Sequence, residues 1–169
     1  MRKHVLPAIG VAAATAGALA LGLSLAPTAA NAAPPKHGYH HRTITIEAVE
    51  TGTAVNLVDV APDDSALGDQ LIGTADLTDS DGNELGTSSF VGISTDAEPR
   101  TSEMLTFVYE LPDGKITTAG TAQLSDSGPV FDEKFAITGG TGEYKNASGE
   151  VRVLQESMEE AKVTFEIRR

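Results

Sequence analysis

From Thr43 onward the chain alternates apolar and polar residues with period two, is rich in β-branched side chains, and meets turn residues at short intervals. It carries no 3.6-residue apolar stripe of helical length, so the pattern predicts an all-β fold. Strands are expected at Thr43–Thr51, Asp69–Thr78, Glu84–Thr95, Ser102–Leu111, Lys115–Leu124, Phe131–Thr138, Gly149–Glu156 and Ala161–Arg168. Asp79-Ser80-Asp81-Gly82-Asn83 and Pro112-Asp113-Gly114 both place Gly after Asp, as a hairpin with a positive-φ position requires. Sequential hairpins make sequential strands antiparallel neighbours. Such a sheet either leaves two open edges or closes, and closure removes the edges. The expected architecture is therefore an eight-stranded antiparallel up-and-down β-barrel of lipocalin-like form, wide enough to hold one small ligand.

The first residues follow other rules. Arg2 and Lys3 give a basic start, Ala8 to Ala26 run without a charge, and Ala30-Asn31-Ala32 supplies a small-x-small cleavage pattern. Residues 1–32 read as a signal peptide, 33–42 as a flexible tail and 43–169 as the barrel domain. The uncharged run is long enough to span a bilayer but is built of Ala and Gly rather than Leu and Ile, which favours cleavage before Ala33 over an anchor. The expectation is a secreted, extracellular protein with no stable membrane insertion after cleavage.

Beyond residue 32 the chain holds ten Lys and Arg against twenty-four Asp and Glu, a net charge of −14. That field repels polyanions, and no basic stripe interleaved with aromatics reverses it, so nucleic acid is not an expected partner. Zero cysteines remove disulfides and thiolate chemistry together. His37, His40 and His41 crowd the tail, but no Asp or Cys partner stands at ligand spacing, and no metal is expected there. Asp79, Asp81 and Asn83 imitate the start of a calcium loop. Glu84 stands where that loop needs Gly and Phe90 where it needs a closing Glu, so the segment reads as a solvated turn.

The run Phe135-Ala136-Ile137-Thr138-Gly139-Gly140-Thr141-Gly142 invites a nucleotide-binding reading, yet the context fails. A dinucleotide fingerprint needs a long helix after the glycines, and a phosphate loop needs Lys then Ser or Thr. Only Glu143 to Ala147 could be helical here, and Glu143 places negative charge where phosphate would sit. The run reads as a connector: Gly139 and Gly140 supply backbone angles other residues resist, and one helical turn plugs or flanks the barrel end. No cofactor is expected. Asn146-Ala147-Ser148 is also a glycosylation sequon.

The same run, followed by Tyr144 and Asn146-Ala147-Ser148-Gly149, resembles the signature of plant allene oxide cyclases and dirigent proteins. Leu67-Gly68-Asp69, Leu85-Gly86, Val91-Gly92-Ile93 and Asp113-Gly114-Lys115-Ile116 fall in the family's order, so the resemblance spans Thr43 to Arg169. Gly68 to Ser94 is also similar to bacterial barrel cyclases that form spirotetronate rings. The resemblance implies an eight-stranded antiparallel barrel working by confinement and electrostatics on a small hydrophobic molecule. It also implies a first-strand glutamate assisting charge separation, a position that Glu47 matches. The chain departs from the pattern at Val49 and Ala75, where the cyclases hold asparagines, and at Ala122, where a tyrosine packs on substrate. No proline stands near Asn56.

Alternation then assigns a lining. If Glu47 points inward, so do Thr45 and Val49. Anchored at Ala75, the second strand contributes Asp69, Leu71, Gly73 and Leu77. The candidate site is Glu47 as catalytic acid, with Val49, Asp69, Leu71, Gly73, Ala75 and Ala122 binding ligand. On the fourth strand either Met104, Thr106, Val108 and Glu110 or Leu105, Phe107, Tyr109 and Leu111 face the lumen, and the second set is equally compatible with an oligomer face instead. Three functions fit: a cofactor-free cyclase or isomerase, a carrier or dirigent-like guide, and a packed structural barrel of the cell envelope. A homo-oligomer, dimer or trimer, is compatible with each.

Overall fold

A computed structural model describes residues 42–60, 64–97, 100–125 and 130–169. The expected signal peptide, its cleavage point and the tail histidines lie outside these residues. The described chain forms β1 (Thr43–Val58), β2 (Gln70–Thr78), β3 (Glu84–Ser94), β4 (Ser102–Leu111), β5 (Gly114–Gln123), β6 (Phe131–Gly140), β7 (Ser148–Gln155) and β8 (Glu160–Arg168). Each pairs antiparallel with its sequence neighbour, and β1 closes onto β8. The expected eight-stranded up-and-down barrel is present, with boundaries within a residue of the sequence reading except at two ends. Strand β1 runs on to Val58 through a bulge between Gly52 and Ala54, and β6 takes in Gly139 and Gly140.

Alternation decides which face is buried. Leu105, Phe107, Tyr109 and Leu111 of β4 are buried while Met104, Thr106 and Glu110 are exposed, so the aromatic set lines the lumen and is not an oligomer face. All five phenylalanines of the chain turn inward, and their rings form a continuous series. Phe131 meets Phe135 at 6.3 Å, Phe135 meets Phe107 at 5.1 Å, Phe107 stacks on Tyr109, and Tyr109 meets Phe165 edge-on at 4.9 Å. Such pairs contribute roughly 0.5–1.5 kcal/mol each beyond the area they bury.

One end of the barrel is filled. There Leu77, Tyr109, Ile116, Phe165 and Ile167 are fully buried, and a 3₁₀ turn, Gly142–Tyr144, carries Tyr144 against them as a plug. Arg169 ties the plug down, donating from Nη1 to the Glu143 carbonyl at 2.8 Å. The glycine connector works differently from the expectation. Left-handed angles fall on Gly142 (φ 60°) and Gly149 (φ 128°), not on Gly139 or Gly140. Gly140 is required for room, because a Cβ there would overlap the Tyr144 carbonyl oxygen and meet Tyr144 Cβ at 2.9 Å.

Candidate functional site

The opposite end is hollow. Between β1, β2, β3, β4, β6 and the β7–β8 turn lies a cavity open to solvent at its mouth. Its apolar wall comes from Val55, Leu71, Ala75, Phe90, Leu105, Phe107, Leu124, Phe131 and Ala161, with Met158 at the rim. Glycines facing inward create much of the room for these side chains. The Phe90 ring lies over Gly73, where a Cβ would meet ring carbon Cζ at 2.5 Å, and the Phe135 ring lies over Gly120, where a Cβ would meet Cδ1 at 2.9 Å.

Two buried acids enter this apolar space. Glu50 of β1 is 6% exposed and accepts a hydrogen bond from Ser88 Oγ of β3. Loss of hydration raises its pKa above the ordinary carboxylate value, an effect that the Ser88 bond partly offsets. Glu103 of β4 is 3% exposed and forms an ion pair with Arg100. Gly92 opposite supplies the space, since a Cβ there would come within 2.7 Å of the Glu103 carboxylate. Tyr109 stands in register with Ser88 on the same inner wall. Its hydroxyl is buried without a hydrogen-bond partner among the described residues, and burial, with the nearby Glu50 charge, pushes its pKa well above the usual phenol value.

The expected second-strand residues Leu71, Gly73, Ala75 and Leu77 face inward, and Leu71 and Ala75 line the cavity. Ala122 is buried, in register with Glu103. Asp69 ends up just before β2, where its carboxylate accepts the Val60 N–H at 3.0 Å and fastens the β1–β2 connection.

The expected orientation of β1 is corrected. Glu47 is exposed on the outer face, and Thr45 and Val49 share that face. Across the seam with β8, Ala48 pairs with buried Val163 and Glu50 with buried Ala161, whereas Glu47 pairs with Thr164 and Val49 with Lys162. The face was legible in Ile44, Ile46 and Ala48, which alternate with Thr43, Thr45 and Glu47. The inward acid of β1 is Glu50. Glu103 shares the parity of Leu105 and Phe107, a signal that assigns it to the lumen once the β4 face is known.

A closed, sequentially wound barrel with an apolar, acid-bearing cavity at one end defines a class of small barrels built around a central cavity. Residues 49–167 match the family model described as the allene oxide cyclase barrel like domain, and the chain belongs to that family. A search of curated protein sequences found no match. Among solved structures, the chain is similar to a pyocyanin demethylase, with 23% identity and a TM-score of 0.64 over 73% of this chain and 99% of the other. An exo-specific intermolecular Diels–Alderase gives 16% identity and a TM-score of 0.63 over 76% and 98%. A pterocarpan synthase dirigent protein gives 21% and 0.55 over 85% and 97%. At these identities the likeness is one of fold.

Proposed function

We propose that the protein is an exported barrel that takes one small, largely apolar molecule into its open end and guides its cyclisation or isomerisation without a cofactor. The observation that carries this reading is the buried Glu50 carboxyl, held by Ser88, set into a cavity whose wall is mostly apolar. An apolar wall limits the conformers a flexible molecule can adopt and keeps bulk water from a reactive intermediate. A carboxyl group whose pKa is raised by burial holds its proton closer to neutral pH than an exposed acid, and so suits proton donation and return. Ser88 fixes the orientation of the acid. The catalytic role that the family resemblance implied for Glu47 passes to Glu50 in this proposal.

A second reading, a carrier or dirigent-like guide with no chemistry of its own, draws support from Ala75 and Ala122, inward residues that put no polar group where the cyclases that the chain resembles carry theirs. Native mass spectrometry of protein from its own culture medium, followed by assay of Glu50→Gln, separates the readings. An enzyme loses turnover of the co-purified molecule or its precursor by about 10²-fold or more while binding is nearly intact. A carrier shows a modest change in affinity and no turnover in either form. A structural barrel takes up nothing. The intact mass also tests export, since a chain starting at Ala33 in the supernatant is expected and a full-length chain in the membrane fraction would refute it.

A further inference from the structure

Glu50 differs from the other lumen acid in its lack of a compensating charge. Glu103 is paired with Arg100, whereas Glu50 has Ser88 as its hydrogen-bond partner and forms no ion pair with Lys, Arg or His among the described residues. The paired acids Glu110, Glu143, Glu150, Glu156 and Asp132 lie on the outside, where water would solvate them in any case. A buried carboxylate with no charged partner is costly, and the cost falls when a positive group arrives.

The surroundings do not supply that group. Ser88 comes from β3, Glu103 and Tyr109 from β4, Glu159 and Met158 from the β7–β8 turn, Gln155 from β7, and Ala75 and Leu77 from β2. Arg100 is already engaged by Glu103, so the local balance is negative. The rings of Phe90, Phe107 and Phe131 stand in the same wall, and aromatic faces attract cations.

We propose that the cavity selects a molecule whose apolar, preferably flat body carries a positively charged nitrogen, and that this nitrogen docks on the Glu50 carboxylate. The proposal rests on the reading of the cavity as a ligand site, and adds the charge of the ligand to it. The aromatic wall takes the body, and Ser88 holds the carboxylate toward the incoming N–H.

Three probes with one naphthyl body test it: 2-(aminomethyl)naphthalene as the cation, 2-(hydroxymethyl)naphthalene as the neutral analogue and 2-naphthoate as the anion. They are titrated by calorimetry at about pH 8 in salt near physiological strength, where general surface attraction is screened. The cation is expected to bind at least about tenfold more tightly than the alcohol, and the anion more weakly than both. Glu50→Gln should bring the cation down to the level of the alcohol and leave the alcohol within about twofold of its wild-type affinity. Glu47→Gln removes the same unit of charge from the outer face and should keep the preference intact. Lowering the pH should erase the preference as Glu50 takes up its proton.

An alcohol that binds as tightly as the cation, or a preference that survives Glu50→Gln, overturns the proposal while leaving the cavity reading in place. A preference lost equally in Glu47→Gln assigns it to the overall field and also overturns the proposal. Failure of all three probes to bind removes both the cation preference and the ligand cavity.

Discussion

The closed and open ends of the barrel are cut from the same strands, yet they use their small residues for opposite purposes. At the closed end Gly86, Gly114, Gly140, Gly142 and Gly149 let backbone approach backbone, and an added Cβ would overlap a carbonyl oxygen at each of them. At the open end Gly73, Gly92 and Gly120 face side chains, making room for Phe90, Glu103 and Phe135. Glycine seals one end by bringing main chains together and furnishes the other by admitting larger groups to the lumen. Stability is therefore concentrated near Tyr109, Tyr144 and Phe165, and chemical variety near Glu50 and Phe131.

The sharpest way to break this contrast is Gly140→Val. Its side chain would be driven into Tyr144, so the variant should lose the plug and fail to give a cooperative unfolding transition, with a cost above the 4 kcal/mol or so reached by few single substitutions. A denaturation midpoint close to wild type would show that the plug is dispensable.

A matched pair of truncations comes next. Phe165→Ala at the closed end should lower the unfolding free energy by about 3–5 kcal/mol. Phe131→Ala removes a half-buried ring from the cavity wall and should cost under half as much by the same urea titration, while weakening uptake of a naphthyl probe. Equal losses at the two positions would mean that the ends do not differ in packing.

Ala75→Leu refines the picture further. In a closed core the added volume would cost about 1–3 kcal/mol, but Ala75 borders the cavity, so stability should change by less than about 1 kcal/mol while ligand uptake is lost. A large drop in the melting midpoint with no probe binding in the wild type would mean that the open end is also full.

The smallest effect expected is the pH dependence set by Glu50. Its folded-state pKa is raised, so the folded protein binds more protons than the unfolded chain between the ordinary carboxylate value and the raised one. Stability therefore falls as pH rises through that window. Glu50→Gln lacks this loss and should melt higher than wild type at pH 7, with the gap closing below the ordinary value of 4.5. A gap that widens on acidification would reverse the sign and show that the ionised acid is stabilised in the fold.

Strand order, closure and the plug were legible because hairpin turns and alternation are local signals. The Asp113-Gly114 turn carries its geometry in its composition, whereas the Gly139–Gly149 connector announced a break between strands without showing which glycines take the left-handed angles. The lining of β2 was legible as well, because small and apolar residues repeat at every second position from Leu71 to Leu77. The acid of β1 was not. Glu47 and Glu50 are three residues apart, so they fall on opposite faces of a strand, and a site placed by family position alone took the wrong one. The bulge between Gly52 and Ala54 shifts the inward face from even to odd positions, which returns Val55 to the cavity wall and which strict alternation from Glu47 does not anticipate. The pairing of Arg100 with Glu103 depends on a connection whose path no local rule dictates.

The length of β1 has a further consequence. Its pairing with β8 ends at Thr51, while its pairing with β2 continues to Val58. At about 3.3 Å per residue, the last seven residues carry this side of the rim roughly 20 Å along the strand past the end of that pairing. The opening is thus slanted like the cut end of a quill. Val55, and by alternation Leu57, continue the apolar wall upward past the level at which β8 stops. A guest longer than the cavity is deep can lie along this ramp with its far end in water. The described walls therefore limit a guest's width far more strictly than its length.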